Sequence, residues 1–127
     1  MSIVAIDVGL KRIGAAVCLK RNVIVPLNAV LRRNREQAAN DISKLLHEYE
    51  AEILVVGLPS NDEMKRRIKH FVSLLKFEGE TVFIDEDFSS HEAKERMKGV
   101  VKQKRDGRVD SLSAVIILER FCAKPYF

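Results

Sequence analysis

The chain has 127 residues, 46% hydrophobic and 31% charged, and a formal net charge of +4. This length and composition exclude a disordered chain and predict one globular domain over residues 1–127, with a core that needs no disulfide or metal. No apolar segment approaches the roughly 20 residues that cross a bilayer, and no signal peptide precedes the first strand, so we expect a cytoplasmic location.

The first quarter of the chain predicts three strands. Residues 3–9 form an apolar run that ends in a carboxylate and a glycine, which is typical of a buried strand. A short turn leads to a second apolar run at 13–19, so these strands should pair as an antiparallel hairpin. Small residues at 14–16 would let another element pack closely on the second strand. The third strand, 23–31, contains Pro26 and therefore belongs at a sheet edge or a bulge.

Two helices with recognisable N-termini follow the third strand. Asn34 and Gln37 have the spacing of a capping box, and the apolar residues after them recur every three or four positions. Ser60 and Glu63 predict a second capping box in the same way. The second helix should be closed by Gly79.

The later elements alternate between strand and helix. Apolar runs at 53–59 and 81–84 predict buried strands, a third helix should start near Ser89, and a final helix should cover 110–118. Such alternation implies parallel pairing through right-handed crossovers. The predicted fold class is therefore α/β: a five-stranded mixed sheet, with three antiparallel strands plus two parallel strands, flanked by helices.

The two cysteines, Cys18 and Cys122, are far apart in the chain, and each lies in an apolar segment. In a chain with so few cysteines, this placement favours buried thiols over a metal site or a redox pair.

Carboxylates stand at the ends of three predicted elements. Asp7 ends the first strand, residues 85–87 (Asp-Glu-Asp) end the last strand, and Asp110 begins the final helix. Ligands of open α/β sheets gather at the carboxyl ends of parallel strands, so these side chains could share a crevice. Crowded carboxylates repel one another, and Mg²⁺ or Mn²⁺ relieves that repulsion. Two such ions about 4 Å apart can support phosphodiester hydrolysis.

Positive charge is concentrated in one segment of the chain. Residues 94–108 contain seven basic residues and two acidic ones, so they carry +5 and leave −1 for the rest of the chain. A block of this kind favours a polyanionic partner.

The carboxylates and the basic block each also have a simpler interpretation. The basic block could be a solvated loop, and residues 85–87 could be a polar turn. Asp7 could cap a turn, and Asp110 could cap a helix.

Four motifs in the sequence resemble the YqgF/RuvX family. They are Asp7-Val8-Gly9-Leu10-Lys11-Arg12-Ile13-Gly14, Val55-Val56-Gly57-Leu58-Pro59, Asp85-Glu86, and Asp110-Ser111-Leu112-Ser113-Ala114-Val115-Ile116-Ile117-Leu118. They occur in family order and span nearly the whole chain. The resemblance implies an RNase H-like fold, related to the Holliday junction resolvase RuvC. It also implies a metal-dependent nuclease that either matures the 5′ end of pre-16S rRNA or resolves four-way DNA junctions.

The resemblance also assigns roles to particular residues. Asp7, Glu86 and Asp110 would be the catalytic carboxylates and would hold Mg²⁺ or Mn²⁺, with two ions expected. The positively charged residues beside the substrate backbone would be Lys11, Arg12, Lys102, Lys104, Arg105 and Arg108. Asp87 stands where the family has arginine, so a like charge replaces a possible phosphate contact.

Three classes of function are consistent with part of this pattern. The first is a nuclease whose partner is nucleic acid, an rRNA precursor in preference to a DNA junction, acting without a membrane as a monomer or weak homodimer. The second is a non-catalytic RNA- or ribosome-binding module, which Asp87 would suit. The third, an actin-like phosphotransferase, needs two such domains around a nucleotide, and the chain is too short for two.

Overall fold

The computed structural model describes residues 2–20, 23–85 and 111–123. Within these ranges the chain forms five strands and three helices. The strands are β1 (Ser2–Val8), β2 (Arg12–Lys20), β3 (Val23–Leu31), β4 (Ala51–Leu58) and β5 (Glu80–Asp85). The helices are α1 (Arg35–Glu48), α2 (Asp62–Ser73) and α3 (Leu112–Ala123).

The five strands form one mixed sheet in the order β3-β2-β1-β4-β5. β2 pairs antiparallel with both β1 and β3. β4 pairs parallel with both β1 and β5. The predicted arrangement of antiparallel and parallel strands is confirmed, and so is the place of Pro26 on an edge strand, β3.

Each face of the sheet has its own apolar cluster. Side chains alternate between the faces along a strand, so Val4 and Ile6 of β1 join the cluster under α1 and α2. Ala5 lies between them in the chain and packs on the other face, in the cluster that includes Ala114 and Ile117 of α3. The sheet is therefore covered on both faces, which explains why β1 and β4 read as continuous apolar runs.

The predicted start of α1 is confirmed at its cap. The Oδ1 of Asn34 accepts from the Gln37 backbone N–H at 2.7 Å, and the Gln37 side-chain oxygen accepts from the Asn34 backbone N–H at 3.3 Å. This reciprocal pair satisfies two donors that a helix N-terminus otherwise leaves free.

The predicted N-terminus of α2 is wrong by one residue. Asn61 caps the helix instead of Ser60, and its Oδ1 accepts from the Met64 backbone N–H at 3.0 Å. Asn and Ser are about equally good caps, so two adjacent candidates compete on nearly equal terms. Glu63 reaches forward rather than back, and its carboxylate lies 2.9 Å from the Arg67 guanidinium.

The predicted end of α2 is also wrong. The helix stops at Ser73, and the backbone N–H of its cap residue, Leu74, donates to the Phe71 carbonyl at 3.0 Å. Gly79 lies further on, just before β5, where a Cβ would be 2.4 Å from the Glu52 carbonyl oxygen. Its role is therefore a close approach to β4 rather than helix termination.

The third predicted helix, near Ser89, and the basic segment 94–108 lie outside the described residues. Of the helices that the structure describes, none has the length and apolar character needed to cross a membrane.

Cys18 of β2 and Cys122 of α3 form no disulfide, and both lie in the cluster between the sheet and α3. Cys18 is buried, as predicted, and Cys122 is half-buried. Burial raises the pKa of the Cys122 thiol to about 11, and the neighbouring Cys18 thiol contributes to the shift. Both effects disfavour the thiolate, which is the reactive form.

We expect Cys122 to react slowly with iodoacetamide at pH 8, because its raised pKa leaves almost no thiolate at that pH. The alkylation rate, followed by mass spectrometry of the native protein, should rise tenfold per pH unit up to about pH 11. The same profile in urea should bend near the ordinary thiol pKa of about 8.5. A native profile that bends at that lower pH would contradict the assignment.

The core under α1 predicts a large effect for Ile42, which is fully buried there. Ile42→Ala should lower the free energy of unfolding by about 2–5 kcal/mol, because it removes apolar contacts and leaves a cavity. Lys44→Ala, on the exposed side of the same helix, should change it by less than about 0.5 kcal/mol. Urea denaturation of both variants tests this, and equal effects would mean that α1 does not bury Ile42.

Candidate active site

Asp7 lies at the carboxyl end of β1, in the middle of the sheet. Its side chain is on the same face of the strand as those of Ile3 and Ala5, both of which belong to the cluster under α3. The side chain of Val8 is on the opposite face and packs under α1 and α2. The Asp7 side chain is therefore half-buried on the α3 face of the sheet.

The surroundings of Asp7 do not match those of a turn cap. The turn after β1 is closed by the backbone, with the Gly9 N–H donating to the Arg12 carbonyl at 3.0 Å. A Cβ on Gly9 would lie 2.6 Å from that oxygen, so the turn requires glycine. Among the described residues no donor reaches the Asp7 carboxylate. A half-buried carboxylate in this state needs water or a cation, and its oxygens suit a hard divalent ion.

β5 ends at the same edge of the sheet as β1, with β4 between them. Val56 of β4 pairs with Ile6 of β1 on one side and with Phe83 of β5 on the other. Adjacent strands are about 4.8 Å apart, so β1 and β5 are separated by about 10 Å. Carboxylates on these two strand ends can therefore share a site only through long side chains or bridging ions.

Asp85, the last residue of β5, lies on the wrong face to meet Asp7. Val82 and Ile84 pack against the α3 cluster, whereas Phe83 faces α2, where the Lys69 ammonium is 5.7 Å from the centre of its ring. Asp85 is two residues after Phe83 on the strand, so its side chain is on the same face as that of Phe83. Of the acidic cluster 85–87, the structure thus separates Asp85 from the face that carries Asp7.

The predicted partners of Asp7 lie just beyond the described ranges. Glu86 follows Asp85 in the chain, and Asp110 precedes Ser111. The predicted substrate-binding residues Lys102, Lys104, Arg105 and Arg108 also lie outside the described residues. Within the part of the chain that the structure describes, no three His, Cys, Asp or Glu residues form a metal-binding group.

Ser111 fixes the start of α3 to the antiparallel half of the sheet. Its side chain is fully buried. Its hydroxyl oxygen accepts from the Ala15 backbone N–H at 3.0 Å and donates its proton to the Leu27 carbonyl at 2.6 Å. Ala15 and Leu27 are paired residues of β2 and β3, next to an irregularity in their register. The small residues of β2 do receive another element closely, as predicted.

Lys11 and Arg12, two predicted substrate contacts, are exposed at the turn between β1 and β2. Arg32 holds this turn in place. Its backbone N–H donates to the Lys11 carbonyl at 2.8 Å, and its guanidinium donates to the Gly9 carbonyl at 2.9 Å. The same guanidinium lies 5.4 Å from the centre of the Phe71 ring. The turn that follows Asp7 is therefore fixed to α2.

The contribution of Arg32 is not among the features predicted from the sequence. The available signal was compositional: Arg32, Arg33 and Arg35 surround the N-cap of α1. The net charge of −1 outside the basic block concealed this second, smaller concentration of positive charge.

Comparison with known proteins identifies the family. Residues 1–124 match the family model of RuvX, described as a Holliday junction resolvase. The chain belongs to the RuvX family. A Sulfurovum relative is 55% identical over 124 residues, covering 94% of this chain and 97% of that protein. A Campylobacter lari relative is 48% identical over 126 residues, covering 95% and 97%. Both RuvX relatives are named as candidate pre-16S rRNA nucleases.

Solved structures support the fold of this RuvX-family chain. The fowlpox virus Holliday junction resolvase matches with a TM-score of 0.58 at 12% identity, covering 95% of this chain and 97% of that one. RuvC of T. thermophilus, solved with a Holliday junction substrate, matches with a TM-score of 0.54 at 16% identity, covering 95% and 96%. The predicted RNase H-like fold is confirmed.

Ser111→Ala should destabilise the protein by about 1–3 kcal/mol, because it leaves the buried Ala15 N–H and Leu27 carbonyl without a partner. Ser113→Ala, on the same helix, provides the matched control and should have a much smaller effect. The free energy of unfolding in urea measures both. Equal stability of Ser111→Ala and wild type would show that the hydroxyl does not bridge the strands.

Proposed function

We propose that this protein is a metal-dependent endonuclease that hydrolyses phosphodiester bonds in structured nucleic acid. Its substrate is the 5′ end of pre-16S rRNA, processed in the cytoplasm during ribosome biogenesis. Membership of the RuvX family and the names of relatives about 50% identical support this proposal. The observation that carries it is Asp7, a half-buried carboxylate without a donor among the described residues, at the carboxyl end of the central strand.

The proposed metal ligands are Asp7, Glu86 and Asp110. Glu86 is attached to the end of β5, two strands from Asp7, and Asp110 is attached to Ser111, which the sheet holds in place. Mg²⁺ or Mn²⁺ bound by these oxygens, as two ions, would activate water and stabilise the leaving oxygen. The protein itself contributes a fixed strand end and a turn that holds Asp7 on the α3 face.

Positive side chains would bind the substrate backbone. Lys11 and Arg12 are exposed on the turn that directly follows Asp7. The basic residues Lys102, Lys104, Arg105 and Arg108 precede Asp110 in the chain and would add further phosphate contacts. Phosphate contacts release counterions, so affinity should fall steeply as salt is raised.

The second candidate is a Holliday junction resolvase. The description of the family and the two structural matches favour it. Symmetric cutting of a four-way junction requires two active sites related by a two-fold axis, and therefore a dimer. A purely binding protein is the third candidate, because Asp87 replaces the arginine of the family motif.

Asp7→Asn should abolish cleavage and leave folding intact, because only the charge of one ligand is lost. Mutation of residues that hydrogen-bond to metal ligands typically lowers metal affinity or activity 10–100-fold. Loss of a ligand itself should therefore lower the cleavage rate by at least about 100-fold. Asp85→Asn is the matched control: it lies at the same sheet edge but on the opposite face, and should retain activity. The assay offers a 5′-extended small-subunit rRNA precursor and a four-way DNA junction, each with Mg²⁺ or Mn²⁺.

The substrate that wild type cuts in this assay distinguishes the first two candidates. If wild type trims the RNA and Asp7→Asn does not, the result supports rRNA maturation. If wild type cuts only the DNA junction, the result supports the resolvase. Binding without cleavage under either metal would refute both and favour the binding protein. Unchanged cleavage by Asp7→Asn would remove Asp7 from the site.

A further inference from the structure

A small cavity lies on the face of the sheet opposite to Asp7. It has a volume of about 170 Å³ and is formed where the end of β1, the start of α1 and the side of α2 meet. Val8 and Ile68, which line it, belong to the cluster under α1 and α2. Leu10, in the turn between β1 and β2, also lines the cavity, so the turn that follows Asp7 borders it.

Three arginines from different parts of the chain line the cavity: Arg32 after β3, Arg35 at the start of α1, and Arg67 of α2. Within the described part of the chain, Arg67 forms an ion pair with Glu63 at 2.9 Å, and the two side chains are 59% and 63% exposed. Such an exposed pair is weak and exchanges readily. Arg35 has no ion-pair partner within the described part of the chain. The three arginines that line the cavity and the neighbouring Glu63 together carry a net charge of +2.

The size and lining of the cavity select the ligand. At about 170 Å³ it is smaller than the roughly 300 Å³ at which sites for whole small molecules begin. The described residues that line it include no aromatic ring on which a base could stack. Guanidinium groups match the oxygens of a phosphate in pairs of parallel hydrogen bonds. A single phosphate group is therefore the ligand that fits.

We propose that this arginine cavity binds a backbone phosphate of the nucleic acid on which the protein acts, as a second anchor on the far side of the turn from Asp7. Lys11 and Arg12 are exposed on that turn and connect the two faces with positive charge. Arg32 can both fix the turn and bind phosphate. One N–H of its guanidinium donates to the Gly9 carbonyl, and a guanidinium has further N–H groups that can donate to a phosphate. The inference rests on the proposed function for the identity of the polyanion.

The test compares two double variants that remove the same charge. Arg35→Gln with Arg67→Gln alters the cavity, whereas Arg33→Gln with Arg66→Gln alters exposed neighbours that do not line it. Fluorescence anisotropy measures binding of a labelled rRNA precursor and a four-way DNA junction, in EDTA and over a series of salt concentrations. EDTA prevents metal-dependent cleavage, so binding is read separately from catalysis.

The cavity variant should bind about tenfold more weakly, as expected for lost hydrogen bonds to a charged group. Its slope of log affinity against log salt should fall by about 0.7–0.9, the contribution of one phosphate. The control should lose less than about twofold. A loss confined to one nucleic acid supports the proposal and identifies the source of the phosphate. The single variants Arg35→Gln and Arg67→Gln, with thermal unfolding of each protein, exclude a folding defect.

Equal losses in the two double variants would show general charge attraction and overturn the proposal, as would an unchanged affinity of the cavity variant. Neither outcome affects the dependence of cleavage on Asp7. Conversely, if binding depends on the cavity arginines but the protein never cleaves either nucleic acid, the nuclease proposal is refuted and the phosphate site is still supported.

Discussion

The buried hydroxyl of Ser111 joins the start of α3 to the antiparallel strands β2 and β3. Next to an irregularity in the register of β2 and β3, the Ala15 N–H donates to this hydroxyl and the Leu27 carbonyl accepts from it. A buried backbone group without a hydrogen-bond partner is costly. A hydroxyl is both donor and acceptor, so a single side chain satisfies the two groups at once. The same contact holds the first turn of α3 on the sheet, and α3 in turn covers the face from which Asp7 emerges.

Most of the architecture could be predicted because it depends on local patterns. Apolar runs locate the strands, and the alternation of strand with helix determines which pairs are parallel. The errors occur where local signals are equal or absent. Ser60 and Asn61 are adjacent and cap almost equally well, so spacing alone cannot choose between them. Arg32 and Phe71 lie 39 positions apart in the chain and meet only through packing, so neither residue alone indicates the contact.

The candidate site could be predicted in outline for a similar reason. A carboxylate after a buried strand identifies Asp7, and the end of the parallel strand β5 indicates where a second acid should be sought. The acidic run 85–87 does not say which of its members shares the face of Asp7, because that depends on the register of β5. Only the packing of Val82 and Ile84 against α3 settles the alternation and assigns Asp85 to the other side. The roles of Glu86 and Asp110 depend on the family resemblance.

Pro26 has a consequence for how the protein behaves in a crowded solution. β3 is nine residues long and forms one border of the sheet, where unpaired backbone groups could template another chain. The Leu27 carbonyl and the N–H of Ala15, its facing residue on β2, share the Ser111 hydroxyl, so Leu27 directs its backbone groups toward β2. Because this direction alternates along an antiparallel strand, the nitrogen of Pro26 points outward. That nitrogen carries no hydrogen. A strand added at this border would meet a missing donor near its centre, which disfavours edge-to-edge association of sheets into aggregates.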